Sequence, residues 1–130
     1  MARFLGHSVS KKKCYDKCPA QFFYRFHKKL PEPASPAMER GKQIHKACED
    51  YILGRTNHMT SEMRHWGADL FKELRKLKPL VECKLAYDQY WHPLSDFFDR
   101  NAWVRVVFDV ARVYDDRTGI LIDHKTGKRW

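Results

Sequence analysis

The chain has 130 residues, of which 43% are hydrophobic and 14% aromatic, so it holds enough apolar material for one packed domain, and global disorder is excluded. Its formal net charge of +9 predicts a polyanionic partner, most commonly nucleic acid, although a basic surface that only maintains solubility has the same composition. No apolar run suits a membrane span or a signal peptide, and the four scattered cysteines do not form a secreted disulfide framework, so we expect a single cytoplasmic domain over residues 1–130.

Residues 1–79 are predicted to be mainly helical. A basic first helix is expected from Ser10, its N-cap, to His27, with a break at Pro19 that would divide it into two short helices. The second helix is expected from Pro36 to Leu53, because Ser35 is a good N-cap and proline suits the first helical position. Gly54 is the expected C-terminal stop of this helix.

A third helix is expected from Ser61 to Lys78, and Pro79 ends it. Apolar residues recur there at every third or fourth position, which is typical of a helix that buries one face. The expected buried residues are Met63, Trp66, Leu70, Leu74 and Leu77.

From residue 80 onward the apolar period changes to two, which predicts β-strands. The expected strands are Leu80–Trp91, Trp103–Tyr114 and Ile120–Thr126, and the last two form a hairpin around the turn-forming segment Asp115–Gly119. Helices followed by strands indicate an α/β fold in α+β order, with N-terminal helices and a three-stranded antiparallel meander in residues 80–130.

Two aspartates interrupt these apolar strands, where a carboxylate requires compensation by a cation or a basic partner. They are Asp109 and Asp123. If Tyr114 pairs with Ile120 across the hairpin, Asp109 lies opposite Lys125. Asp123 and Lys125 are two residues apart and share that face, whereas a slip of one residue would turn Asp109 away from it.

Two carboxylates and an ammonium that point to one place are suited to metal-assisted phosphodiester hydrolysis. The carboxylates would hold a hard divalent ion such as Mg²⁺ or Mn²⁺, whose chemistry is to polarise a phosphate and acidify water. Lys125 would orient the water or stabilise charge on the phosphate. The alternative is an ordinary surface salt bridge, because an Asp-x-Lys pair is common by chance.

His45 is the fourth candidate of the site. On the second helix it shares a face with Gly41, Cys48 and Ile52 at roughly four-residue spacing, and Gly41 would let another group approach closely. An imidazole ligand would shift the preference from Mg²⁺ towards Mn²⁺. A core histidine without a ligand role is the alternative interpretation.

Several motifs follow one another along most of the chain. They are Ser8-Val9-Ser10, Tyr15-Asp16-Lys17-Cys18-Pro19, Phe22-Phe23-Tyr24, Gly41-Lys42-Gln43-Ile44-His45, Val81-Glu82, Phe108-Asp109 and Ile122-Asp123-His124-Lys125-Thr126-Gly127-Lys128. In this order they resemble the PD-(D/E)XK nucleases, and within them the RecB-like exonuclease branch that also includes the nucleases of CRISPR spacer acquisition.

The resemblance implies a restriction-endonuclease-like core and a metal-dependent DNA nuclease, of exonuclease type, acting in DNA repair or recombination in a phage or prokaryote. It implies that His45, Asp109, Asp123 and the backbone carbonyl of His124 hold Mg²⁺ or Mn²⁺, and that Lys125 is catalytic. Glu82 is a weaker candidate, either behind the ligands or structural. The alternative function is a catalytically silent basic module that binds nucleic acid or a protein partner.

The chain also departs from the family pattern. Relatives continue past the lysine with a helix that carries a Gln-x-x-x-Tyr motif and with another strand, whereas this sequence stops at Trp130, so we expect either truncation or completion by a second chain. The remaining sheet would expose an edge, which predicts a homodimer or a strand-exchanged oligomer. Some relatives bind an iron–sulfur cluster through late cysteines that are absent here, so no cluster is expected. A zinc site built from Cys14, Cys18 and a histidine is a weaker alternative.

Basic residues close to the expected site fit the binding of a phosphate backbone. The candidate DNA contacts are Lys11, Lys12, Lys13, Lys17, Arg40, Lys42, Lys46, Lys128 and Arg129. The aromatic residues that could stack on bases are Tyr15, Phe22, Trp91, Phe97 and Phe98, although core packing is the favoured expectation for Phe22, Phe23 and Phe26.

Overall fold

A computed structural model describes residues 6–126 of the chain. Its helices are α1 (Val9–Lys17), α2 (Pro19–Phe22), a π-helix (Phe23–His27), α3 (Pro36–Ile52) and α4 (Ser61–Leu77). Its strands are β1 (Leu80–Tyr87), β2 (Pro93–Leu94), β3 (Val104–Val113) and β4 (Gly119–Ile122). Helices first and strands afterwards confirm the predicted α/β class. Among these residues, no helix has the length and apolarity needed to cross a membrane.

In the part of the chain that the structure describes, the sheet has four strands in the order β2-β1-β3-β4, and not the three that we expected. The first expected strand ends early because the Asp88 carboxylate accepts the backbone N–H groups of Tyr90 and His92 and closes a turn. Pro93 and Leu94 then return alongside β1 as an antiparallel pair, which adds the short strand β2.

The chain divides into two compact units. The first unit contains residues 6–33 and 84–107, and the second contains residues 34–83 and 108–126. The expectation of a single domain stays a prediction. Every candidate residue of the metal site belongs to the second unit.

Helix α1 begins one residue before the expected N-cap. Ser8, in an extended conformation, is the observed cap, and its hydroxyl accepts the backbone N–H of Lys11. Ser10, which we expected in this role, lies inside the helix. The Pro19 break is confirmed, because α1 ends at Lys17 and α2 restarts with Pro19 at its first position.

Helix α3 follows its predicted bounds closely. The Ser35 hydroxyl accepts the backbone N–H of Met38, and Gly54 adopts a left-handed φ of 76° just after the C-cap Leu53. The helix contributes half of the core of the second unit. That core consists of Ile44, Cys48, Tyr51, Ile52, Met63, Phe71, Leu74 and Val110.

The expected buried stripe of α4 is confirmed at Met63 and Leu74 and is wrong at Leu70 and Leu77. Gly67 leaves the helical conformation, with φ 133° and ψ 96°, so the helix is kinked and the buried face changes its phase beyond that point. Phe71, which the continuous stripe omitted, is 1% exposed, whereas the predicted Leu70 is 46% exposed. Leu77 is exposed as well.

The hairpin of β3 and β4 differs from the expected register by two residues. Val113 pairs with Gly119 and Ala111 with Leu121, because the Asp115 carboxylate accepts the N–H groups of Arg117 and Thr118 and fixes the turn one residue earlier. Asp109 is therefore aligned with Asp123 and not with Lys125. A slip of two residues leaves each side chain on its predicted face.

The kink makes a prediction about stability. We expect Phe71→Ala to lower the free energy of unfolding by about 3–5 kcal/mol, because it empties a fully buried position in the core. The matched control Leu70→Ala should cost less than about 1 kcal/mol, since this neighbour is largely exposed. Urea unfolding followed by circular dichroism measures both values, and equal losses would contradict the change of face at Gly67.

Candidate functional site

The site is built around the carboxylate of Asp109 on β3. Its side chain is 13% exposed, and it precedes Val110 of the core. One carboxylate oxygen, Oδ1, lies 3.5 Å from Nδ1 of His45 on α3. The other, Oδ2, accepts the backbone N–H of His124 at 2.6 Å. One aspartate thus joins the central strand, the long helix and the segment after β4.

Glu82 on β1 completes a group of three potential ligands. The donor atoms of His45, Glu82 and Asp109 all lie within 4.8 Å of one another. Glu82 has a φ of 50° inside a strand, which is unusual for a residue other than glycine and is the kind of strain that clusters at functional sites. We expected Glu82 to have a lesser role than the two aspartates, yet the geometry brings it to the centre.

The donor set fits a divalent cation. Two carboxylates suit Mg²⁺ or Mn²⁺, and one imidazole nitrogen favours Mn²⁺ over Mg²⁺. Cys48 lies one turn beyond His45 but is not part of the group of converging donors, and burial, followed by the carboxylates of Asp109 and Glu62, raises the pKa of its thiol to about 11. The thiol is therefore protonated at neutral pH and acts as a core residue.

Asp123 and Lys125 lie just beyond the end of β4 and form an ion pair with each other. The side chains are 59% and 84% exposed, in contrast to the sheltered carboxylate of Asp109. Within residues 6–126, the cluster of potential ligands contains Asp109 but not Asp123. The structure therefore brings together two of the predicted ligands, His45 and Asp109, and places the other acid beside the lysine.

The ring of His124 is a feature that the sequence analysis missed, since it assigned a role only to the backbone carbonyl. The ring is buried against Trp66 and Phe71, whose planes lie at 1° and 25° to it, and it meets the ring of His45 edge-on. Burial lowers the pKa of this histidine in spite of the opposing charge of Asp109, so the imidazole is neutral. The sequence analysis expected Trp66 to be buried but did not link it to His124, and it omitted Phe71, which the kink of α4 turns towards the core.

An open groove of about 550 Å³ runs over the site. It is lined by Ala37, Met38, Gly41, Lys42, His45, Lys46, Glu49, Glu82 and Thr126. Another group approaches Gly41 closely, as expected, because a Cβ at this position would lie only 3.2 Å from the Thr126 hydroxyl. The groove gives an extended ligand access to His45 and Glu82.

The basic residues predicted to contact DNA differ in their surroundings. On α3, Arg40 pairs with Glu62 at 2.6 Å, Lys42 pairs with Glu39, and Lys46 pairs with Asp50 and Glu49, which raise its pKa. These cations near the groove are therefore compensated by acids.

The predicted DNA contacts of the first unit are of three kinds. Lys11 donates to the carbonyl of Gly6, and Lys12 pairs with Asp16. Lys13 and Lys17 form no ion pair with any residue between positions 6 and 126. Lys128 and Arg129 lie outside the described residues.

Comparison with known proteins gives one family. The sequence profile described as the PD-(D/E)XK nuclease superfamily matches residues 7–129. No curated protein and no solved structure shows a significant match. The helices and the four-stranded sheet are consistent with the restriction-endonuclease-like core of that superfamily. Because the match covers nearly the whole sequence, this chain belongs to the PD-(D/E)XK nuclease superfamily.

Proposed function

We propose that the chain is a metal-dependent DNA nuclease that hydrolyses phosphodiester bonds, of the RecB-like exonuclease type, and that it acts in DNA repair or recombination in the cytoplasm of a prokaryote or during phage infection. The observation that carries this proposal is the group of His45, Glu82 and Asp109, whose donor atoms lie within 4.8 Å of one another beside an open groove. A set of two carboxylates and one imidazole suits a catalytic divalent ion better than it suits a purely structural role.

The three side chains of this group would hold Mg²⁺ or Mn²⁺. A divalent ion supplies charge stabilisation on a phosphate and water that is more acidic than bulk water. Asp109 is oriented for this purpose by the N–H of His124, and the stacked ring of that histidine fixes the backbone that donates the hydrogen bond. We propose the backbone carbonyl of His124, in the same segment as this N–H donor, as a further ligand of the ion.

Asp123 and Lys125 would complete the catalytic group. An exposed ion pair is worth at most about 1 kcal/mol, so the Asp123 carboxylate can leave the lysine at little cost when a cation and a phosphate arrive. The released ammonium of Lys125 would then stabilise the negative charge that develops on the phosphate or orient the attacking water. In the absence of substrate, the two groups neutralise each other.

We expect Lys125→Ala and Asp109→Asn each to reduce DNA cleavage at least about 100-fold, because they remove charge stabilisation and a metal ligand respectively. The matched control is Lys76→Ala, which removes an exposed lysine paired with Glu73 on α4 and should leave the rate within twofold. Cleavage of end-labelled DNA with Mn²⁺, with and without chelator, measures the effect.

Linear and covalently closed circular DNA in the same assay separate end-dependent from internal cleavage. The proposal expects the linear molecule to be degraded and the circle to remain intact. Binding of DNA without cleavage at any concentration of Mg²⁺ or Mn²⁺ would instead support a catalytically silent module.

Metal binding can be tested without DNA. We expect His45→Ala and Glu82→Gln to weaken Mn²⁺ binding by at least about tenfold, because each removes one of three converging donors. His65→Ala is the matched control, since this histidine is exposed on α4. Isothermal titration calorimetry gives the dissociation constants, and unchanged affinity in both site variants would exclude the three-residue cation site.

We also propose that the protein forms a homodimer or a strand-exchanged oligomer through β4. This strand is at the edge of the sheet that residues 6–126 form, and its Ile120 and Leu121 side chains are exposed. An apolar edge strand is a template for pairing with another chain. Its outward side chains would be buried in such a pair.

Light scattering tests the association. We expect a dimer that Leu121→Lys converts to a monomer, because two lysines would be placed across the strand pair. The control Leu53→Lys, which changes an exposed leucine at the end of α3, should not alter the mass. A monomer for the unmodified protein at high concentration would contradict the proposal.

We further propose that the chain binds no iron–sulfur cluster. Such a cluster needs four thiolates, and the sequence has four cysteines in total. Cys48 is completely buried among the apolar side chains of the core of the second unit, which a cluster would have to displace. The three remaining cysteines cannot complete the cluster.

A further inference from the structure

Five aromatic rings of the first unit touch one another in a continuous series, which we call the ring row. Tyr15 meets Phe22 edge-on at 5.4 Å between centroids, and Phe22 meets His27 at 5.8 Å. His27 stacks on Phe23 at 5.6 Å, and Phe23 meets Tyr24 at the same distance. The row thus links α1, α2 and the π-helix.

The ring row faces solvent, although core packing was expected for two of its members. Tyr15, Phe23 and Tyr24 are 55%, 44% and 54% exposed, and Phe22 is only partly buried. The backbone conformation explains why these rings are exposed. In the π-helix Lys28 donates its N–H to the carbonyl of Phe23, five residues earlier, so consecutive aromatic residues are spread around a wide turn. An exposed apolar surface of this kind marks an interaction site.

The charge around the ring row is strongly positive. Residues 6–33 contain seven lysine and arginine residues and two acids. Both acids are already engaged, Asp16 by Lys12 and Glu32 by Arg25. The five cations of this segment that form no ion pair with any residue from Gly6 to Thr126 are Lys11, which donates to the carbonyl of Gly6, and Lys13, Lys17, Lys28 and Lys29. The Lys28 ammonium lies 5.7 Å from the centroid of the Phe23 ring, so one uncompensated charge is adjacent to an exposed ring.

We propose that the ring row and its uncompensated lysines bind single-stranded DNA, with bases stacked on the exposed rings and phosphates held by the lysines. Aromatic rings provide a stacking surface that does not depend on base identity, and lysines supply the electrostatic attraction to the backbone. Duplex DNA is disfavoured, because its base faces are already stacked on each other. This inference rests on the proposed nuclease function only for the choice of DNA as the polyanion.

The combination of rings and charge selects this partner over a protein. A hydrophobic protein surface that covered the rings would also have to desolvate the adjacent lysines without compensating them. An acidic peptide would satisfy the lysines but would leave the flat ring faces in water. A single strand of nucleic acid presents flat apolar faces and regularly spaced anions together, and therefore satisfies both features.

The experiment measures the binding of a fluorescent thymidine oligonucleotide by anisotropy in the presence of EDTA, so that no cleavage interferes. We expect Phe23→Ala and Tyr24→Ala to raise the dissociation constant at least about fivefold, as is typical for the loss of a base-stacking ring. Tyr114→Ala is the matched control, because it removes a tyrosine of similar exposure, 50% against 54%, and should change affinity less than twofold. Tyr24→Leu keeps apolar bulk without a ring and should behave like Tyr24→Ala.

Two further arms separate stacking from charge. Heparin has negative charge but no bases, so it should bind the ring variants and the unmodified protein with equal affinity. The double variant Lys28→Gln, Lys29→Gln should bind both heparin and the oligonucleotide more weakly, and its binding should depend less on salt concentration. Equal binding of single-stranded and duplex DNA, or ring variants that bind the oligonucleotide normally, would overturn the proposal.

Cleavage assayed in parallel keeps the two proposals distinct. Lack of cleavage together with ring-dependent binding would refute only the nuclease function. Normal cleavage together with binding that does not depend on the rings would refute only this inference.

Discussion

The second unit depends on the compensation of one sheltered carboxylate. Asp109 precedes a core valine on the central strand β3, where an ionised group is costly to desolvate unless hydrogen bonds and opposite charge replace the lost water. The N–H of His124 and the imidazole of His45 each supply part of that replacement. A divalent cation would supply the rest, since two carboxylates and one imidazole converge there with no lysine or arginine ion-paired to Asp109 among residues 6–126.

Core packing and the geometry of the site therefore depend on the same residues in this unit. Phe71 belongs to the hydrophobic core and also stacks on His124, whose backbone holds Asp109. The kink at Gly67 sets the phase of the helix that carries Phe71. A change in helix phase at the glycine would consequently affect the hydrogen bond to the carboxylate through the stacked ring. If mutation of Phe71 or His124 abolished activity, the cause would be the misplacement of Asp109 and not the loss of a reacting group.

Local rules in the sequence were sufficient for part of this arrangement. The caps of α3 follow from Ser35, Pro36 and Gly54, because capping depends only on neighbouring residues. The prediction that Asp109 and Asp123 share a face was correct although the predicted register was wrong. An error of two residues preserves the alternation of side chains between the two faces. The position of Glu82 was not predictable in this way, since a left-handed φ at glutamate is imposed by tertiary packing and violates the strand pattern. The burial of the His124 ring was not predictable for a related reason, because its partner Phe71 reaches the core through a kink and not through a regular helical period.

The net charge of +9 predicted a polyanion but gave no information about where it would bind. On α3, beside the groove, Lys42 and Lys46 are compensated by acids of the same helix, so the positive potential there is weaker than the sequence suggests. A lysine in an exposed ion pair of this kind can exchange its acidic partner for a phosphate. The exchange contributes little to the affinity for a polyanion, because one ionic contact replaces another. In the first unit, Lys13, Lys17, Lys28 and Lys29 have no such competitors among residues 6–126, and they occur with exposed rings. If the chain binds a strand of nucleic acid as proposed, the affinity should therefore come mainly from the lysines and exposed rings of the first unit.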